Sequence, residues 1–414
     1  MTRQRAYAHP CAGKARRGFT LVELMVALVI TSVVVTALFT LARGATETFN
    51  QQQRTAEMQL RLRFAMEQLR ADVARAAYLS TPNSLADPRV CPRPTRALQG
   101  VEVTQDSGGV LPLGSDNGSI RPVRLTLTGN FASVDEYLVA GISGSTIYLQ
   151  NQTPQWALRV TSEAEFRRMF LGPGGRRLLR ITSTAGNTQF VQATDVVYAD
   201  GLSTTPPSIR VTPPPVLVGD ASTGGSVGCG VVGLGVGSTV SPVLRVQYAI
   251  ENIRTEQPEL YPADTTLANT KTDLIRREFD ITDSDVAVPG GVRPVGEYAV
   301  DLDVGLAVDD GMGGAASGPA VLRTIDFGAT EIFDRYGASL RTVASATPHR
   351  IRSLIVRLSL RDREQDPQFG FPGPRGSGAP LTRFRVFADR PGAARVRTLT
   401  AEITLPNQAN RNLR

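Results

Sequence analysis

The sequence predicts an α+β protein in which one long N-terminal helix packs against a large, mostly antiparallel β domain. Three observations support this class. An apolar run covers residues 19–42, a helical apolar stripe continues beyond it, and after Pro82 the chain changes to short alternating segments separated by turn residues. With 41% hydrophobic and 20% charged residues in 414, the composition is that of an ordinary folded protein.

The apolar run at 19–42 is predicted to be a membrane-crossing helix. Glu23 is its one charged residue. A helix rises about 1.5 Å per residue, so this segment is long enough to cross a bilayer. Lys14, Arg16 and Arg17 precede it, and the positive-inside rule therefore keeps the leader in the cytoplasm and exports the C-terminal body.

The helix is predicted to continue to about residue 80, because the apolar period does not break before Pro82. We expect its second half to pack beneath a sheet. Two pairs of opposite charge, one turn apart, are expected on its solvated faces: Glu57 with Arg61, and Asp72 with Arg75. The apolar stripe consists of Met58, Leu62, Met66, Leu69, Val73 and Ala76.

The rest of the chain has strand and turn chemistry. Runs rich in Val, Ile, Leu, Thr and Tyr are separated by clusters of Gly, Pro, Asp and Ser. Exposed loops are predicted at 224–237 and 372–380, and Trp156 is predicted to lie in the core. The predicted strands are 123–128, 135–140, 145–149, 178–182, 189–198, 244–251, 274–281, 298–308, 351–360, 384–387 and 396–404.

The basic excess of the chain is concentrated at its N-terminus. The formal net charge is +7, yet residues 1–18 hold five basic residues and no acidic one. The remaining 40 basic and 38 acidic residues nearly balance, so we expect no broad positive surface and no nucleic-acid partner. The basicity indicates a topogenic signal.

Histidine and cysteine are scarce. Outside residues 1–18 the chain has only His349, Cys91 and Cys229. These are too few for a histidine or cysteine metal site, and we predict no metal and no cofactor. His349 is expected to be exposed, so no catalytic residue and no enzyme activity are predicted. In an exported body Cys91 and Cys229 suggest one disulfide, with two unrelated buried thiols as the alternative.

Two groups of clustered carboxylates are candidate calcium ligands. Asp301, Asp303, Asp309 and Asp310 lie close in sequence, but Gly305 stands where an EF-hand would need a ligand. A solvated strand end is the favoured prediction for this group. The same prediction is made for Asp280, Asp283 and Asp285. The glycine-rich stretch at 224–237 lacks the Lys-Ser/Thr ending of a phosphate loop and is predicted to be flexible.

The apolar run has two ordinary explanations. It could be a secretory signal peptide, since Ala42-Arg43-Gly44 is an acceptable small-x-small cleavage site, or it could be a plain anchor. Neither explains Glu23, because a carboxylate at the start of an apolar run is unfavourable in a membrane and usually marks a function. Glu23 is therefore expected to have a cationic partner.

The residues around Glu23 resemble a known processing signal. Lys14-Ala-Arg-Arg-Gly-Phe-Thr-Leu-Val-Glu23 is similar to the cleavage site of type IV prepilins and type II secretion pseudopilins. The resemblance implies cleavage after Gly18 by a prepilin peptidase, N-methylation at Phe19, and a role in assembly for Glu23. In a filament, the freed amino group of Phe19 on one subunit would then pair with Glu23 of a neighbour.

A weaker resemblance covers most of the body. Leu274-Ile-Arg-Arg, a Val-Asp-Leu-Asp strand, Arg352-Ser-Leu-Ile-Val-Arg-Leu and the terminal Val-Arg-Thr-Leu-Thr-Ala-Glu-Ile-Thr-Leu are similar in order to PilW-type minor pilins. The pseudopilin GspJ resembles the same pattern. The 18-residue leader is longer than usual for the class, and Thr40 stands where major pilins often have proline. Both departures favour a minor or priming subunit.

These observations predict four segments: a leader at 1–18, a transmembrane and filament-core helix at 19–42, its amphipathic continuation at 43–80, and an exported β-rich domain at 81–414. The resemblance implies a minor pilin held in the inner membrane with a periplasmic body, then placed in a pilus at the cell surface. Its implied partners are the prepilin peptidase and other pilins. The alternatives are a type II secretion minor pseudopilin and a membrane-anchored adhesin or binding protein.

Overall fold

The computed structural model describes residues 20–105, 117, 120, 122–216, 235–281, 285–309, 322–325, 348–373 and 380–409. It confirms the α+β class: one long helix is followed by a body of antiparallel strands. The predicted loop at 224–237 lies almost entirely outside the described residues, as does most of 372–380. The chain divides into two compact units, the first ending at Glu57 and the second beginning at Met58.

The helices are α1 (Leu21–Ala74), α2 (Pro154–Arg159), α3 (Glu163–Phe170), α4 (Thr265–Thr270) and α5 (Pro406–Ala409). The strands are β1 (Val101–Gln105), β2 (Val123–Gly129), β3 (Tyr137–Ser143), β4 (Thr146–Leu149), β5 (Arg177–Thr182), β6 (Thr188–Val197), β7 (Ser208–Thr212), β8 (Thr239–Glu251), β9 (Asp273–Ile281), β10 (Asp285–Gly296), β11 (Ala299–Asp309), β12 (Leu322–Ile325), β13 (Ile351–Arg361), β14 (Arg383–Phe384) and β15 (Ala394–Thr404).

Helix α1 ends at Ala74, earlier than predicted. The next residues form turns in which Ala77 and Leu79 have positive φ angles of 59° and 47°. Their backbone bonds go to the end of β2: Ala77 N–H donates to Thr128 O, and Asn130 N–H donates to Tyr78 O, each at 2.8 Å. Pro82 therefore does not end the helix; pairing with β2 does.

The body contains two antiparallel sheets. In the ten-stranded sheet, the long strand β8 belongs both to a closed barrel and to an open sheet. Its first half pairs with β3 on one side and β5 on the other, closing the barrel β8-β3-β4-β7-β6-β5. Its second half, from Leu244, pairs with β2 and β9 in an open sheet. The five-stranded sheet has the order β12-β11-β13-β15-β14.

The main hydrophobic core joins α1 to both sheets. From Met58 onward the helix buries one face against residues of β2, β8, β11 and β13, and Leu69 and Val73 are completely buried. Gly296 allows this close packing, since a Cβ atom there would lie 3.2 Å from Ala65 Cβ. A second core fills the barrel, and the predicted burial of Trp156 is confirmed there.

Candidate assembly and processing site

The described chain begins at Thr20, so the predicted cleavage point between Gly18 and Phe19 lies outside it. Thr20 and Glu23 form a capping box at the start of α1. Thr20 N–H and Oγ1 each donate to Glu23 Oε2 at 3.0 Å, and Glu23 N–H donates to Thr20 Oγ1 at 3.3 Å. These bonds satisfy amides that the first turn leaves without helical partners. Oε1 of Glu23 receives no hydrogen bond from the described residues.

The apolar residues of α1 between 21 and 42 are all exposed. Leu21 is 74% exposed, Phe39 69% and Leu41 74%. The helix is long and apolar enough to cross a membrane. Because so large an apolar surface is unfavourable in water, it must be covered by lipid or by other helices. The apolar N-terminal helix is thus consistent with membrane anchoring.

The hydroxyl groups of the apolar segment do not need outside partners. Thr31 Oγ1 donates to Ala27 O at 2.7 Å, and Thr36 Oγ1 donates to Ser32 O at 2.8 Å. Thr40, which stands where major pilins often have proline, donates through Oγ1 to Ala37 O at 2.8 Å. Since each donor is bonded within the helix, these side chains can enter an apolar environment without a large desolvation penalty.

Asp72 is the main polar contact between α1 and the sheet, and it corrects the prediction of a solvated face. Its side chain is buried. Arg276 Nε donates to Asp72 Oδ2 at 2.6 Å, and Tyr248 OH donates to the same oxygen at 2.8 Å. Burial and the Asp72 charge raise the pKa of Tyr248, which stays protonated as a donor. Arg75 instead donates to backbone carbonyls of Asn130 and Ser133.

The first group of candidate calcium ligands does not form the solvated strand end that the sequence predicts. Asp301 and Asp303 are buried in β11, not solvated, and Asp303 accepts from Arg357 of β13 at 2.7 Å. Asp309 accepts from Arg352 at 3.0 Å. Asp310 lies outside the described residues. Paired arginines, which a solvated strand end does not need, compensate the buried charge.

The second acidic group is also paired. Arg177 Nε donates to Asp280 Oδ1 at 2.8 Å in a buried pair. The Asp285 carboxylate accepts hydrogen bonds from both Arg96 and Arg245. Burial raises the pKa of Asp280, although Arg177 opposes that shift. Asp283 lies outside the described residues. Within the described part of the chain, no three His, Cys, Asp or Glu side chains gather as metal ligands would.

Cys91 is disulfide-bonded. Its predicted partner Cys229 and the leader residue Cys11 both lie outside the described residues, so the pairing of Cys91 with Cys229 stays a prediction. His349 is buried rather than exposed, with Nδ1 3.3 Å from Asn83 Nδ2. The expectation of an exposed imidazole is therefore wrong, because the ring is buried beside Asn83.

Comparison with known families gives a match at the N-terminal part of the chain. Residues 13–39 match the model of the prokaryotic N-terminal methylation motif. No curated protein and no solved structure matches the chain significantly. The chain thus carries a type IV pilin-like prepilin signal, which supports a pilin- or pseudopilin-like substrate of prepilin peptidase. The motif implies prepilin peptidase processing and pilin assembly in general terms.

Two site residues escaped the sequence analysis. Thr20 could have been found, since Thr-x-x-Glu before an apolar run is the pattern of a capping box. Asp72 carried a weaker signal: it lies three residues after Leu69 and one before Val73, on the edge of the buried stripe. Its partner Arg276 is 204 residues away in sequence, and no local pattern links the two.

Proposed function

We propose that this protein is a PilW-like minor pilin of a type IV pilus. Prepilin peptidase cuts it after Gly18, Phe19 is N-methylated, and the subunit enters or primes the filament near its tip. One observation carries the proposal: the methylation motif at 13–39 includes the start of a helix whose apolar side chains at 21–42 are all exposed. The role is structural, not enzymatic.

In this proposal the four segments have distinct tasks. Residues 1–18 are the leader, 19–42 the membrane and filament-core helix, 43–80 its continuation, and 81–414 the exported domain. Before assembly the apolar helix lies in the inner membrane and the body in the periplasm. In the filament, neighbouring helices replace the lipid, and Glu23 of one subunit accepts the methylated amino group of Phe19 of another. The Thr20 cap supports this, because it leaves Oε1 of Glu23 able to accept.

The size of the body supports a minor subunit. A closed barrel is added to the sheets that cover α1, and repeating such a body at every position of a thin filament would crowd it. A type II secretion pseudopilin would be processed identically. Deleting the chain's gene separates the two: loss of surface pili with normal protein secretion supports the pilus, and the reverse supports the secretion system.

Mass spectrometry of the mature N-terminus tests the processing step. An N-methylated Phe19 is expected, and Gly18→Leu should leave the leader attached. Gly44→Leu is the matched control, because Gly44 has open space around its Cα and lies at the alternative signal-peptide site. An N-terminus at Ala45 or Met1 would replace the proposal with a secreted or simply anchored protein.

A further inference from the structure

The outer edge of the five-stranded sheet gathers arginines over phenylalanine rings. We call Arg383, Arg385, Arg390 and Arg395 the arginine edge. They lie on β14, on β15 and on the loop that joins these strands. The opposite face of the same strands is apolar, with Phe384 and Val396 buried. The edge is therefore built on a packed support and does not depend on α1.

Two of these arginines lie directly opposite each other. Arg383 of β14 pairs in register with Arg395 of β15, and both guanidinium groups stack on Phe369, at 4.2 and 4.5 Å from its ring centroid. Like charges facing each other across two strands destabilise a sheet. The ring offsets part of that repulsion. Asp366 adds one contact, to Arg395 at 3.4 Å.

Side-chain hydrogen bonds, those of Gln365 among them, hold the joining loop in place. Gln365 Oε1 accepts from Val386 N–H and Phe387 N–H at 3.0 and 2.9 Å, and its Nε2 donates to Arg390 O at 2.8 Å. Arg390 stacks on Phe387 at 4.2 Å. The guanidinium positions are therefore set before any ligand arrives.

The charge of this edge is not fully compensated. Arg383 and Arg390 have no carboxylate partner among the described residues, and Arg390 is exposed. By contrast, Arg277 of β9 contacts both Glu251 and Glu256 at 2.9 Å. An external anion would supply the missing compensation.

We propose that the arginine edge binds single-stranded nucleic acid. The planar guanidinium fork matches the geometry of phosphate oxygens, and the outer face of a stacked guanidinium accepts a base. Single strands offer both, since their bases are free to stack. The near-balance of charge over the whole chain predicted no such partner. That average does not describe the edge, where Arg383 lies directly opposite Arg395.

Binding of a fluorescent oligothymidine to the full-length protein in detergent tests the proposal. Arg383→Ala/Arg395→Ala should weaken binding about tenfold, and the slope of log affinity against log salt should fall by about 0.7 per arginine removed. Arg383→Lys/Arg395→Lys keeps the charge and loses the stacking, so it should bind with intermediate affinity. Arg167→Ala/Arg254→Ala removes the same charge elsewhere and should bind like the wild type.

Three results would overturn the proposal: no binding by the wild-type protein, equal weakening by the control pair, or equal affinity for duplex DNA or heparin. Equal weakening would indicate a diffuse charge effect. Equal affinity for heparin would indicate a site for any polyanion. Processing at Gly18 is read separately by mass spectrometry, so failure here leaves the proposed function untouched.

Discussion

Glu23 is held at the N-terminus of α1 by a neighbour in its own chain, and one of its oxygens still has room for a partner from another subunit. Glu23→Ala should be inserted and cleaved normally but should fail to enter filaments, because the charge pair between subunits is lost. Immunoblots of sheared filaments and of membranes measure both steps.

Two controls separate charge from capping. Glu23→Gln keeps an oxygen that can accept from Thr20 but loses the charge, and it should fail like the alanine variant. Thr36→Val removes a hydroxyl that is bonded only within the helix and should assemble. Normal incorporation of Glu23→Gln would rule out the charge pair.

Arg276 and Asp72 form a buried pair whose separation should be costly. Arg276→Met leaves the Asp72 carboxylate buried without its cation, and the free energy of unfolding should fall by about 3 to 5 kcal/mol. Urea unfolding of the detergent-solubilised protein measures this loss. Arg61→Met breaks the pair with Glu297, in which both side chains are nearly half exposed, and should cost less than about 1 kcal/mol. Similar losses for both variants would contradict a special role for Asp72.

His349 should make stability depend on pH. Burial, followed by the nearby charges of Arg350 and Arg352, lowers its pKa in the folded protein. The unfolded chain, with an ordinary pKa near about 6.5, then takes up the proton more readily. Stability from this group is complete above about pH 6.5 and declines as the pH falls below it. His349→Gln should remove that part of the decline, measured as free energy of unfolding at several pH values. An unchanged pH profile would contradict it.

Helix α1 is an amphipathic element from Met58 onward, and its two faces should respond differently to truncation. Leu69 is completely buried, whereas Leu60 is 66% exposed. Leu69→Ala should lower the free energy of unfolding by about 2 to 5 kcal/mol. Leu60→Ala, the same chemical change, should alter it by no more than about 0.5 kcal/mol. Equal losses in urea unfolding would show that the helix does not pack as described.

The strands show where local patterns succeed and fail. All eleven predicted strands overlap strands of the structure, although 384–387 meets β14 only at Phe384, and β1, β7, β10 and β12 were missed. Strand β10 contains Pro289, Gly290, Gly291 and Pro294, which read as a loop. It forms because it lies at a sheet edge, pairing only with β9 among the described strands, and its register shifts absorb the glycines and prolines.

At the scale of the whole molecule, the disulfide of Cys91 is expected to tie the body together. If its partner is Cys229, Cys229→Ser should release one reactive thiol and lower stability by about 2 to 4 kcal/mol. Cys11→Ser, in the predicted leader, should do neither. Thiol labelling of the denatured, unreduced protein distinguishes them. Release of Cys91 by Cys11→Ser instead would assign the bond to the leader.

The sequence by itself determined the processing signal, the membrane-compatible helix, its buried stripe and most strands, because each depends on residues close together in the chain. Only the tertiary structure decided that β8 closes a barrel, that Asp72 meets Arg276, and that Arg383 faces Arg395. These features join residues far apart in sequence. Hydrophobic period and turn residues fix where an element begins and ends, whereas its partner is chosen by packing and charge compensation across the whole fold.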